Sequence, residues 1–207
     1  MTPMNSLTCT LVPEGSSDRA LVPVIEFLLD SYCPVPFQPP QCPDSLPRPS
    51  EGLAARIQSA LRNFPCDLLI VHRDADSTDP APREAEIHAA LAQVPQAPTY
   101  VCVVPVRMTE AWLLVDENAI RRAAGNPNGK HELAMPAPRR IESIPDPKAT
   151  LRELIDAASN LSRRRRVDFN DARQRVSALI DYEKLRALPS FLRFEAAIKD
   201  CFPAQPG

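Results

Sequence analysis

Asp74 and Asp76 stand one residue apart, just beyond a run of four apolar residues, Leu68-Leu69-Ile70-Val71. In a still-extended backbone, residues i and i+2 point to the same side, so the pair would present two carboxylates together. Hard oxygen donors in that arrangement suit Mg²⁺ or Mn²⁺. Asp-x-Asp is also common turn and helix-cap spelling, and the pair alone leaves both readings open. Glu14 is the third acid of interest, because it follows another β-prone stretch, residues 7–12. If the two stretches are adjacent parallel strands, all three acids reach one rim, the side on which open α/β sheets bind ligands. Crowded carboxylates raise one another's pKa, and a divalent cation is the simplest compensation. The plainer reading of Glu14 is a first-turn acid favoured by the helix dipole.

The elements around these acids have the required pattern. Residues 68–71, continuously apolar, read as a strand covered on both faces. After Pro13-Glu14-Gly15, the residues Ser16, Ser17 and Asp18 offer helix N-caps. A helix over about 17–31 then places Leu21, Val24, Ile25, Leu28 and Leu29 at helical spacing. Val35-Pro36-Phe37 is short and extended, a candidate edge strand where proline is tolerated. Leu53, Ile57, Ala60, Leu61 and Phe64 mark a second amphipathic helix, residues 83–93 a third, and Tyr100 to Val104 a further strand. This alternation predicts an α/β, Rossmann-like, mostly parallel sheet of about four strands flanked by helices. Beyond Pro105 the expectation is helical: Thr109 to Leu114, a short helix opened by Asp116 as its N-cap, a loop over 125–147, a helix begun by Pro147, and helices through 169–201. The expected division is 1–125 for the α/β core and 126–207 for a loop and helical C-terminal extension packed on it.

Bulk composition narrows the function classes. A net charge of −2 gives no global drive toward polyanions, so nucleic-acid binding requires a local patch. The four arginines at 163–166 are one such patch, or else a solvated face among Glu153, Asp156, Asp168 and Asp171. No apolar run is long enough to span a bilayer and residues 1–6 lack signal-peptide character, so no membrane association and a cytoplasmic location are expected. The six cysteines contain no Cys-x-x-Cys pair, poor spacing for zinc. Cys9, Cys66 and Cys102 read as small buried residues. There is no Gly-x-x-x-x-Gly-Lys-Ser/Thr loop, which excludes P-loop ATP hydrolysis.

Val12-Pro13-Glu14-Gly15-Ser16-Ser17-Asp18 resembles the first motif of Toprim domains, and Asp74-Ala75-Asp76 after its strand resembles the second. The stretch from Val104 through Glu110-Ala111-Trp112-Leu113-Leu114 to Asp116 is the most specific piece. With Asp146-Pro147-Lys148 and Leu188-Pro189-Ser190-Phe191-Leu192-Arg193-Phe194, it resembles small stand-alone bacterial Toprim-like proteins grouped as domain of unknown function 4276. The resemblance covers nearly the whole chain.

The resemblance implies metal-dependent phosphoryl transfer, with Glu14 as general acid/base or metal-sharing residue and Asp74 and Asp76 holding Mg²⁺ or Mn²⁺. It points to a nuclease acting on DNA or RNA, in a bacterial defence-like setting. The rivals are a non-catalytic partner or regulatory subunit of an ATPase, and a nucleotide-handling phosphotransferase other than a nuclease. Glu110 is a further candidate ligand or else a helix-surface acid; Lys148 is a candidate phosphate contact or else part of a helix start. His72 has a catalytic or orienting reading beside that of a satisfied strand-end histidine. Trp112, on an apolar face, reads as core.

Overall fold

A computed structural model describes residues 6–159 and 167–203; the arginine run at 163–166 lies outside the described residues. The chain divides into two compact units. The first is Met1–Arg73, Asp79–Val104 and Arg193–Gly207; the second is Asp74–Thr78 and Pro105–Leu192. The units interleave along the sequence, the chain passing from one to the other after Arg73, Thr78, Val104 and Leu192.

The first unit is α/β. Its strands, β1 (Cys9–Val12), β2 (Leu68–His72) and β3 (Thr99–Val103), form an open parallel sheet in the order β1-β2-β3. Register runs from Cys9 opposite Leu68 and from Leu68 opposite Thr99. Every residue of β1 and β2 is buried, as continuous apolar runs covered on both faces must be. Asp67 pins the entry to the β1–β2 pair by accepting from the Thr8 amide at 2.8 Å and its hydroxyl at 2.7 Å. Helices α1 (Val22–Tyr32), α2 (Leu53–Asn63) and α3 (Ala81–Leu91) flank the sheet. The helix expected over 17–31 begins instead as a 3₁₀ turn, Ser16–Leu21, and becomes α-helical where Pro23 can occupy the first turn.

Among the described residues the sheet has three strands, not about four. The fourth candidate is present only as bridges pairing Phe37 with Leu7 and Gln41 with Thr10. Gln38 and Gln41 donate to the carbonyls of Leu7 and Cys9, while Leu7 and Leu11 donate to those of Pro36 and Gln41. Pro36, Pro39 and Pro40 lack an N–H, so a continuous ladder cannot form along 35–41.

Among the described residues, the second unit has only helices as regular elements. It contains a 3₁₀ helix (Thr109–Val115), α4 (Glu117–Ala123), α5 (Pro138–Ile141), α6 (Pro147–Ser159), α7 (Phe169–Leu179), a 3₁₀ helix (Tyr182–Ala187) and the start of α8 (Pro189–Asp200). Short α5 lies within the expected 125–147 loop. Trp112 is a core residue, 1% exposed. It meets Phe191 edge-on at 5.5 Å and donates its indole N–H to Ser190 Oγ at 2.7 Å. Ser190 in turn donates its amide to Glu142 at 2.9 Å. Asp116 caps α4 through the Asn118 amide and is held by Lys184 Nζ at 2.8 Å and the Asp181 amide at 3.0 Å. Burial works to raise its pKa, but these donors outweigh it and hold the carboxyl below its ordinary value.

Among the described residues no helix is long and apolar enough to cross a membrane. All six cysteines are free thiols. Cys9 is buried, and its surroundings push its pKa up to about 12, which makes it inert. Cys66 and Cys102 are half-buried rather than buried. Cys66 stands in the Pro65-Cys66-Asp67 approach to β2, and Cys102 on β3 at the end of the strand order.

Candidate functional site

Glu14 belongs to the first unit. Its turn follows β1 and is held by two buried side chains. Asp18 Oδ2 accepts from the amides of Glu14 at 2.8 Å and Gly15 at 2.9 Å. The same oxygen lies 2.9 Å from Nδ1 of His72, the last residue of β2. An ionised carboxylate only accepts hydrogen bonds, so this contact requires the imidazole proton on Nδ1. Burial works to raise the Asp18 pKa. The hydrogen bond and charge of His72, with donors from Gly15 and Ser17, prevail and lower it to about 2. His72 is therefore an orienting residue for this turn, satisfied at the strand end.

Arg56 holds the carbonyl side. From α2 its Nη2 donates to the carbonyls of Pro13 at 2.8 Å and Glu14 at 3.1 Å, and its Nη1 to that of Pro47 at 2.6 Å. With amides and carbonyls both fixed, the Glu14 side chain is held beyond the end of β1. Its Oε1 pairs with Arg73 Nη1 at 3.0 Å, Arg73 Nη2 reaches Glu86 at 3.0 Å, and Glu86 takes Arg83 at 2.8 Å. A cavity of about 290 Å³ opens beside this turn, lined by Glu14, Gly15, Ser16, Arg19, Asp44 and Arg56 among others.

Asp74 and Asp76 belong to the second unit. Segment 74–77 runs beside 105–107: Ala75 donates to the Pro105 carbonyl at 3.1 Å, Asp76 to that of Arg107 at 2.9 Å, and Arg107 back to that of Ser77 at 2.9 Å. Asp74 Oδ1 accepts from the Thr109 amide at 2.9 Å and its hydroxyl at 3.3 Å. Asp76 is exposed and left-handed, with φ 56°, and Arg107 is left-handed as well, with φ 66°. Left-handed backbone is costly for residues other than glycine and tends to persist at functional sites.

The other candidates take different places in the same unit. Glu110 is buried and pairs with Arg173 of α7 at 2.7 Å. Its charge is thus met by a guanidinium. Lys148 is exposed in the first turn of α6, where Asp146 caps the helix by accepting from the Ala149 amide at 2.8 Å. This is the helix-start geometry. Among the described residues no three His, Cys, Asp or Glu side chains gather so as to hold a metal ion. Asp74 and Asp76, two carboxylates of one loop, are the residues that could hold Mg²⁺, an ion that proteins bind through as few as one or two carboxylates.

Three residues important to these loops were not singled out from the sequence: Arg56, Arg107 and Arg173. Two of them carry a readable signal. Leu53, Arg56, Ile57 and Ala60 share one helix face, as do Phe169, Ala172, Arg173 and Val176. In both cases an arginine occupies a position of an apolar stripe and is buried in the fold. No protein-family model, curated protein or solved structure matches the chain.

Proposed function

We propose that the chain is a Toprim-like, Mg²⁺- or Mn²⁺-dependent phosphodiesterase, a nuclease of DNA or RNA, with Asp74 and Asp76 as the metal-holding residues. The observation that carries this reading is the build of the Asp74–Ser77 segment. One aspartate is oriented by an amide and a hydroxyl of the same threonine, and the other is exposed on left-handed backbone. Aspartate visits left-handed backbone more readily than most residues, yet glycine would fit there at lower cost, and this supports a role for the carboxylate. A divalent cation held there would neutralise phosphate charge and lower the pKa of a bound water. The resemblance assigns Glu14 the general acid/base role, supported by the clamping of its turn by Asp18 and Arg56.

The test is cleavage of plasmid DNA and of RNA with Mn²⁺, paired with Mn²⁺ binding by calorimetry. Asp74→Asn should abolish both, and Glu14→Gln should abolish cleavage while leaving Mn²⁺ bound. Cleavage that survives Asp74→Asn rejects the site. A second reading, a non-catalytic partner of an ATPase, draws support from Glu14 being paired with Arg73 and Glu110 with Arg173. Under that reading the wild type binds Mn²⁺, cleaves neither substrate and co-purifies with the ATPase.

A further inference from the structure

Arg107 differs from the other shielded arginines of its unit. Among the described residues that are not exposed, Arg121 pairs with Glu117, Arg173 with Glu110 and Arg186 with Glu183. Half-buried Arg107 has no side-chain hydrogen bond or ion pair among the described residues. Its Nε is buried without a partner, as are Arg121 Nη1 and Arg173 Nε, but those two guanidinium groups each have a carboxylate and that of Arg107 has none. An orphaned buried donor carries a desolvation penalty. Arg107 adds a second penalty, left-handed backbone at φ 66°, which glycine would relieve. Both costs fall on one residue, beside the acid pair. The Asp76 amide donates to the Arg107 carbonyl at 2.9 Å, and the Arg107 amide to the Ser77 carbonyl at 2.9 Å. The guanidinium is thereby tethered to the same loop as the two aspartates.

The geometry points to Arg107 as the residue that grips a phosphate oxygen of the substrate at the Asp74–Asp76 loop, an inference that rests on the phosphodiesterase reading. A guanidinium presents parallel N–H donors that match two oxygens of a phosphate. Nε is shut off from solvent, so the donors a phosphodiester oxyanion would meet are the terminal nitrogens of the guanidinium, which are not among the buried unpartnered atoms. The two carboxylates would otherwise repel an incoming polyanion, and a fixed cation on the adjacent backbone offsets that repulsion before any divalent ion is shared. This role falls to Arg107 rather than to Lys148, whose helix start is already accounted for by the Asp146 cap. Exposed lysines are also mobile point charges, whereas the Arg107 backbone is fixed by hydrogen bonds on both sides of its peptide unit.

The experiment measures binding of the full chain to a short fluorescein-labelled single-stranded DNA, with Ca²⁺ replacing Mn²⁺, across a series of salt concentrations. Arg107→Gln should weaken binding by about 5-fold or more and reduce the slope of log affinity against log salt by about 0.7, the loss of one phosphate contact. Arg107→Lys should recover part of the affinity. Arg107→Gly should lose affinity as Arg107→Gln does while raising Tm by about 2–4 °C, because the backbone strain is relieved. Arg140→Gln, a loss of charge on exposed α5, should leave the affinity within about 2-fold. Unchanged affinity and slope in Arg107→Gln, with cleavage lost in Asp74→Asn, overturn the role of Arg107 and leave the phosphodiesterase reading intact. A wild type that neither binds the DNA nor cleaves with Mn²⁺ overturns both.

Discussion

The turn after β1 and the segment that follows β2 carry the same kind of residue and are built in opposite ways. At the first, the carboxylate and the turn backbone of Glu14 are met, although Arg73 Nε is itself buried without a partner. Glu14 has Arg73, its turn amides have Asp18, its carbonyls have Arg56, and Gly15 sits at φ −142°, which any residue adopts. At the second, Asp76 and Arg107 hold left-handed backbone without being glycine, and Arg107 Nε is buried without a partner. Local rules are obeyed at one carboxylate and broken at the other. Among the described residues, Gln96, in the loop before β3, is the one other non-glycine residue with left-handed backbone, at φ 54°. The difference lies in the backbone: the Asp74–Ser77 segment and its partner Arg107 carry the strained residues, and the Glu14 turn carries none.

The comparison can be broken or sharpened by substitution. The largest effect should come from the anchor behind the second loop. Arg173→Met leaves Glu110 buried and unpaired and should cost about 3–5 kcal/mol in chemical denaturation. Adding Glu110→Gln should recover much of that loss. A cost near zero would show that Glu110 has another counter-charge. At the first loop, Asp18→Ala strips the Glu14 and Gly15 amides and His72 of their acceptor and should cost about 2–4 kcal/mol.

The same carboxyl predicts an acid response. Its pKa is lowered from 3.8 to about 2 on folding, so its contribution is fully present above pH 4 and is lost as the pH falls through 2. The loss should be about 2 kcal/mol. In Asp18→Asn that component of the acid unfolding curve should disappear; if it persists, the proton is taken up elsewhere.

The smallest effects make the sharpest contrast. Asp76→Gly should stabilise the protein by about 0.5–1 kcal/mol, because glycine accepts positive φ freely. Gly15→Ala should be neutral to slightly stabilising, within about 0.5 kcal/mol, since an added Cβ meets only Ser17 Oγ, at 3.8 Å. Equal responses at the two positions in thermal unfolding would erase the distinction between strained and relaxed loops.

What could be read from the chain in advance followed from short-range order. The apolar runs marked β1, β2 and β3, and the 3.6-residue spacing marked α1, α2 and α3, each within a few residues of its bounds. Asp116 as a cap and Trp112 as core were equally local inferences. The clamps were not legible, because they join residues far apart in sequence. His72 meets Asp18 across 54 positions, Arg56 meets Pro13 across 43, and Arg173 meets Glu110 across 63. No local spacing encodes those pairs, although an arginine inside an apolar stripe signals that some buried acceptor awaits it. Positive φ at Asp76 and Arg107 was hidden for a related reason. Neither residue is glycine, so composition gave no sign of left-handed backbone there.

The proline-interrupted segment 35–41 has one more consequence. Its hydrogen bonds occupy Leu7, Cys9 and Leu11 on the outer flank of β1, the groups that a strand from another molecule would seek. Pro36, Pro39 and Pro40 have no N–H with which to extend the pairing outward. Natural sheets guard their edges against aggregation by such means. Parallel sheets assemble slowly and leave strands exposed meanwhile, so this cover should protect one flank of the molecule from templating fibrils at high concentration.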